Sequence, residues 1–523
     1  METDKCPMAE AVRAAYRAGQ EDETLEPLVR VDYDGRPIGC IQDGDYVIFY
    51  DIRGEREIEL TSAFVDCDFP HFARPPMSVH FATMIEYHPD LDVHVAFPPL
   101  GRLEDTLCEI VSRDGLHQIK VAESEKAVHV SFFLDGKSQE AFPGEERLVI
   151  PSPHGRAFTE MPPEMRATAV ADATIEALRD PRNALVTVNL CNVDVIGHIE
   201  NPDAIRVAVE TVDAQAGRIV EAARAAGVTA ILTADHGTVE RWYYPDGTVD
   251  TGHTDSPVPF VLIDPQLGRD IHLRQGGALT DIAPTVLHLL DLPQPAAMTG
   301  KNLIISPLSV GTKRVLLLIL DGWGIGDGGP GDLIAQAHTT VMDGLLATWP
   351  HTRLEAAGPA VGMPPGTVGN SEAGHLHIGA GRVVPADRVR INQALEDDSF
   401  FDNEAFRWAM QGAKRAGTRL HLLGIVSFYS SHGSVDHLLA LMTMAQREGV
   451  PEVCVHAMLG RRGERPESGA IYIEQVEREA VRLGVGQMAT VIGRFWSLDR
   501  EGHWDRIEKT YRMLVEGQGQ PIG

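Results

Sequence analysis

The sequence predicts an α/β protein of two domains, each built on an open, largely parallel sheet. Three observations predict it. Strand-like apolar runs alternate with helix-like stretches from about residue 102 to 305 and again beyond 386, as a layered α/β arrangement requires. Several runs are apolar throughout instead of alternating, as expected of strands covered on both faces. Three of them, 184–190, 229–233 and 315–320, lead into an aspartate beyond their carboxyl ends, where open α/β sheets bind ligands. The 523 residues, 43% of them hydrophobic, suffice for two sizeable cores.

Taken in order, residues 8–30 read as a helix and an acidic turn, and 45–50 as a strand closing on Arg53 and Arg56. Arginines three apart serve either as a solvated face or as an anion clamp. The run Val95-Ala96-Phe97-Pro98-Pro99-Leu100-Gly101, with paired prolines, predicts a stiff hinge at 98–101. Past it, the strand at 184–190 runs into Asp194 and His198, four apart and therefore on one face of a helical turn. The strand at 229–233 runs into Asp235-His236-Gly237, with His253 following. The strand at 315–320 ends in Asp321-Gly322-Trp323-Gly324. Carboxylates and imidazoles in this mixture suit Mn²⁺ or Zn²⁺, and so many can hold two ions.

Gly324-Ile325-Gly326-Asp327-Gly328-Gly329 also fits the spacing of a dinucleotide-binding turn. Asp321 intervenes, however, and Pro330-Gly331 prolongs the loop where a helix should begin, so the metal reading is preferred. In Val368-Gly369-Asn370-Ser371-Glu372-Ala373-Gly374-His375, glycines let the backbone approach a bound anion. Ser371 is there the expected nucleophile, at a helix N-terminus where free N–H groups favour a phosphoryl group. Three more strands are expected, at 420–426, 453–457 and 487–492, with Arg462, Arg494 and Arg500 beyond the last two.

A formal charge of −29 argues against nucleic acid or an anionic membrane as the main partner, though not against an anionic substrate held by arginines or a metal pair. The six cysteines are scattered with no CxxC pair, as in a reduced cytoplasmic protein. No apolar run is long enough to span a bilayer.

With these residues assembled, the chain resembles the cofactor-independent phosphoglycerate mutases of the alkaline phosphatase superfamily. The likeness is carried by Asp321-Gly322-Trp323-Gly324, by 369–375 with Ile378-Gly379-Ala380-Gly381-Arg382, by Asp194 through His198, by Thr233-Ala234-Asp235-His236-Gly237 and by 279–285. The resemblance implies an alkaline-phosphatase-like three-layer domain at 102–385 and a smaller phosphotransferase-like domain assembled from 1–97 and 386–523. It implies a circularly permuted order, joined at 306–313. By the same resemblance Asp321, Ser371, Asp235 and His236 bind one divalent ion and Asp194, His198 and His253 a second, usually Mn²⁺, with Zn²⁺, Mg²⁺ or Co²⁺ as alternatives. Lys126 steadies the transferring phosphoryl group, while Arg53, Arg56, Arg462, Arg494, Arg500 and His432 contact a small phosphorylated carboxylic acid. A monomeric glycolytic isomerase working through a phosphoserine is implied, without nucleic acid or membrane partners.

Two departures stand out. Residues 427–434 read Ser-Phe-Tyr-Ser-Ser-His-Gly-Ser where the family has Ser-Asp-Gly-Gly-Val-His-Ser-His, and Gly463 replaces the family's aspartate. They leave open an enzyme acting on a related phosphonate or phosphomonoester, or a non-catalytic binding relative.

Overall fold

The computed structural model describes residues 6–153, 161–244, 246–264, 271–306, 313–428, 430, 432–460 and 468–523. Most of the join at 306–313 and Arg462 with Gly463 therefore lie outside the described residues. The strands, in chain order, begin with β1 (Leu28–Arg30), β2 (Tyr46–Phe49), β3 (His80–Ile85) and β4 (His94–Phe97). There follow β5 (His117–Glu123), β6 (Glu145–Ile150), β7 (Asn183–Leu190), β8 (Thr229–Thr233), β9 (Val258–Ile263), β10 (Gly277–Ala278), β11 (Val315–Leu320) and β12 (His351–Glu355). The last are β13 (Leu420–Ile425), β14 (Val453–Leu459), β15 (Gln487–Gly493) and β16 (Gln520–Ile522).

The chain divides into two compact units, Met1–Pro99 with Arg390–Gly523, and Leu100–Val389. Each holds one eight-stranded sheet. In the first unit the order is β16-β1-β15-β14-β13-β2-β3-β4, parallel except where β1 meets β15. In the second it is β10-β12-β9-β8-β11-β7-β5-β6, with β9 running antiparallel to both its neighbours. The α/β class expected from the sequence is the class observed.

Helix placement follows from side-chain spacing. In the helix Pro202–Ala225, Asn201 accepts the Ala204 N–H and Pro202 needs no partner for a missing N–H, so the chain starts the helix there. Its buried residues Ile205, Ala208, Val209, Val212, Ala216, Ile219, Val220 and Ala223 recur every three or four positions and form one apolar stripe. Strands β7, β8, β9 and β11 are buried along their whole length, which accounts for their unbroken apolar character. Among the described residues no helix is long and apolar enough to cross a membrane. All six cysteines are free, and Cys108, Cys191 and Cys454 are buried.

Candidate active site

Register brings three aspartates together. β11 lies between β8 and β7, parallel to both, with Leu320 opposite Leu190 and Ile319 opposite Thr233. The chain therefore leaves all three strands at the same edge. Asp321 follows β11 directly, Asp235 and His236 follow β8, and Asp194 sits on the short helix Asn192–Gly197 after β7. The crossing is tight: Asp194 N donates to Asp321 O at 3.2 Å, and a Cβ on Gly322, whose φ is 82°, would lie 2.8 Å from Asp194 N. A side chain at 322 would push the two aspartates apart.

Ser371 is the first residue of the helix Ser371–Ala380, capped by the Asn370 side chain, which accepts the Ala373 N–H at 2.8 Å. The neighbouring glycines also permit a close approach of backbone to backbone. A Cβ on Gly374 would come within 2.6 Å of Asp235 O, and one on Gly369 within 2.4 Å of Ala356 O. They let the helix lie against the backbone of the strand edge that carries the three aspartates. The Ser371 hydroxyl consequently sits 3.0 Å from His236 Nε2 and 3.3 Å from Asp321 Oδ1, and accepts a hydrogen bond from Lys126 Nζ.

Lys126 Nζ also donates to Asp194 Oδ2 at 2.6 Å and Asp321 Oδ1 at 2.8 Å. Burial alone would lower its pKa, but Asp321, Asp194 and Asp235 raise it, so the ammonium stays charged. Burial likewise works against Asp194 and Asp235, yet Lys126 with the histidines holds Asp194 far below the usual carboxylate range, and His236 with His375 does the same for Asp235. Asp321 moves upward, through burial and the neighbouring charge of Asp235. Three buried carboxylates thus face one buried ammonium, a surplus of negative charge that suits cations.

The imidazoles fit the same purpose. His198 Nδ1 lies 2.7 Å from Thr251 O and His253 Nδ1 lies 3.0 Å from Gly369 O. A ring that donates Nδ1–H to a carbonyl keeps the Nε2 lone pair for a metal. Those two Nε2 atoms are 3.2 Å apart and stand 3.3 Å and 3.1 Å from Asp194 Oδ1. That oxygen and Asp235 Oδ2 are buried and accept no hydrogen bond among the described residues. Without a cation the His198 ring is drawn toward protonation by its contact with Asp194. Three overlapping groups of donors emerge among the described residues, Asp194 with His198 and His253, Asp194 with His236 and Asp321, and Asp235 with Asp321 and His375, the ligand atoms of each group within 4.8 Å of one another. The donor set fits divalent ions on both counts, unsatisfied oxygens and preset tautomers.

Sequence reasoning passed over two supporting residues. Asn189 donates from Nδ2 to Asp321 Oδ2 at 2.6 Å, and His375 lies 3.3 Å from Asp235 Oδ2 with its Nδ1 2.9 Å from Ser371 O. The signal was present in Asn189, a polar residue near the end of a fully buried strand, which needs a partner.

In the first unit, His432 is 2% exposed, and its Nδ1 is 2.6 Å from Glu57 Oε1. Burial pushes it down to about 4, with the charge of Asp51 pulling the other way and those of Arg494, Arg53 and Arg56 adding to the fall. They are not the isolated cations their sequence positions suggest. Arg494 pairs with Glu23 at 3.0 Å, Arg53 and Arg500 both pair with Glu55, and Arg56 donates to Leu498 O at 3.2 Å. Phe428 is 64% exposed, and Ser434 caps the helix Val435–Glu448 by accepting the Asp436 N–H.

Comparison with known proteins adds the family. Residues 48–294 match the Metalloenzyme superfamily model, and residues 1–89 with 391–522 match the model described as BPG-independent PGAM N-terminus. Asp321 and Ser371 lie outside both matches. The chain is 43% identical over 299 residues to the 2,3-bisphosphoglycerate-independent phosphoglycerate mutase of Moorella thermoacetica, covering 57% of each. To that of Gloeobacter violaceus it is 42% identical over 303 residues, covering 57% of this chain and 55% of the relative. It thus spans little more than half the length of the curated relatives it matches. A solved phosphoglycerate mutase from Leishmania mexicana, crystallised at low cobalt concentration, is 29% identical over 53% of each chain, with a TM-score of 0.38. The paired family matches, with identities above 40% to the named relatives over little more than half of each, make this chain similar to the 2,3-bisphosphoglycerate-independent phosphoglycerate mutases.

Proposed function

We propose that the protein interconverts 3-phosphoglycerate and 2-phosphoglycerate, or a close analogue, through a phosphoserine at Ser371. The observation that carries this reading is the company kept by the Ser371 hydroxyl: His236, Asp321 and Lys126 all reach it at the edge where three strand-end aspartates meet. Asp321, Ser371, Asp235 and His236 would hold one divalent ion, Mn²⁺ ahead of Zn²⁺, Mg²⁺ or Co²⁺, and Asp194, His198 and His253 the other. Such ions, when bound, lower the pKa of a hydroxyl and neutralise phosphoryl charge. Lys126 donates to Ser371 Oγ and stabilises negative charge on the transferring group. The helix N-terminus at Ser371 adds its own positive field. In the first unit, Arg53, Arg56, Arg462, Arg494 and Arg500 would grip carboxylate and phosphate, with His432 at the hydroxyls. The phosphoserine then returns its group to the other hydroxyl of the retained glycerate.

A second reading, transfer to water or turnover of a related phosphonate or phosphomonoester, rests on the exposed Phe428 and on Gly463 in place of an aspartate. The rearranged chain order remains part of our reading, supported by relatives that align over little more than half the chain and by an N-terminal family model that matches two separated segments.

Incubating the Mn²⁺-loaded protein with 3-phosphoglycerate, while following 2-phosphoglycerate and free phosphate, tests the proposal. Isomer without phosphate is expected; phosphate without isomer selects the second reading, and no turnover rejects both. Ser371→Ala is expected to lower turnover by at least about a thousandfold. Its metal content, measured by elemental analysis, should stay within about one ion of the parent, since six donors remain.

A further inference from the structure

The glycine-rich turn after β11, spaced like a dinucleotide-binding loop, closes on the side chain of Glu240. Glu240 is 2% exposed and lies on the loop that leaves β8 after Asp235 and His236. A Cβ on Gly324 would lie 2.5 Å from Glu240 Oε2, and one on Gly326 would lie 2.7 Å from Glu240 O. Gly237 yields in the same way, since a Cβ there would overlap Glu240 Oε1 and stand 2.5 Å from Thr254 Oγ1. Three glycines on two loops thus make room for one buried residue. Burying a carboxylate is costly unless hydrogen bonds compensate it. Here Oε2 accepts the Thr238 N–H at 2.8 Å, and Oε1 accepts the Thr254 hydroxyl.

Thr254 is the residue after His253, and its backbone is held as well. Its N–H donates to Gly237 O at 3.1 Å, and its carbonyl accepts the Gly369 N–H at 3.2 Å. Gly369 O in turn lies 3.0 Å from His253 Nδ1, and His253 Nε2 stands 3.1 Å from Asp194 Oδ1. One carboxylate therefore ties the exit of β8 to the loop that carries His253. We propose that Glu240 is a positioning residue: by holding the Thr254 hydroxyl it fixes His253 beside Asp194, and so sets the affinity of the ion that Asp194, His198 and His253 would bind. The proposal rests on the two-ion reading above. The ligands of the other ion are placed by different contacts. Asp321 accepts from Asn189 at 2.6 Å, and Asp235 accepts the Gly322 N–H at 3.2 Å. A partner that orients a ligating imidazole from outside the coordination sphere typically changes metal affinity by about 10–100-fold.

Titration calorimetry of the intact protein with Mn²⁺ tests the clamp in Thr254→Val, Glu240→Ala and Glu240→Gln. Thr254→Val cuts the arm toward His253 alone. It should weaken one of two ions by about 10–100-fold and leave the other within about threefold. Glu240→Ala should weaken that ion at least as much. Glu240→Gln should weaken it less, because an amide can accept from Thr238 and donate to Thr254 Oγ1. Equal weakening of both ions in Thr254→Val, no change beyond about threefold, or a Gln variant as weak as the Ala variant overturns the proposal. Amide hydrogen exchange in chelator reads the clamp without metal. In Thr254→Val the amides of residues 254 and 369 should lose at least about tenfold in protection, while those of Asp194 and Gly322 stay within about threefold. The same loss at all four, or none at 254 and 369, also overturns it. Fewer than two Mn²⁺ on the wild-type protein would instead reject the two-ion reading, and the exchange pattern would still decide the clamp.

Discussion

Lys126 is the residue on which the charge balance of the site rests. Its ammonium touches Asp194, Asp321 and Ser371 together. Removing one partner of a buried ion pair leaves uncompensated charge and costs about 3–5 kcal/mol. Lys126→Met should therefore lose about that much unfolding free energy in chelator and recover most of it in saturating Mn²⁺, read by denaturant titration under both conditions. Equal losses in both would show that no cation shares the carboxylates. The role of Lys126 was legible only through family likeness, because a lysine 68 residues from Asp194 and 195 from Asp321 carries no local pattern. The aspartates were legible for a physical reason: a charged residue directly after an apolar strand marks the strand's exit. Glu57 and His432, 375 positions apart, had no such signal, and only packing reveals their pairing.

At the scale of elements, the helix Ser371–Ala380 succeeds by lying unusually close to the strand-exit loop of β8. Gly374 makes that approach possible, since a Cβ there would meet Asp235 O at 2.6 Å. Gly374→Ala should force the helix outward and cost about 1–3 kcal/mol. Metal affinity, measured by titration calorimetry, should drop at the same time because Asp235 and Ser371 part. Unchanged affinity would show that the loop and not the helix sets their spacing. Strands were the most legible elements: 229–233 and 315–320 have the bounds read from their apolar runs. The antiparallel course of β9 was not legible, because direction depends on how the connections return and leaves no mark on composition.

Across the whole molecule, two sheets carry two separate cores, one of them including β11 and lying beneath the candidate metal donors. A ligand stabilises the part that binds it. Scanning calorimetry should resolve two transitions, with chelator lowering one while the other stays within about 2 °C. A shift of both by the same amount would mean that the units unfold as one. The sheet order has a further consequence, for synthesis. β7 and β8 leave the ribosome in succession yet never pair, because the rung between them is β11, translated later. At roughly 5–20 residues per second, the nascent chain spends several seconds with two apolar ribbons whose shared neighbour does not yet exist. That interval exposes unpaired sheet edges, and it is the stage of biogenesis at which a holdase chaperone has most to protect.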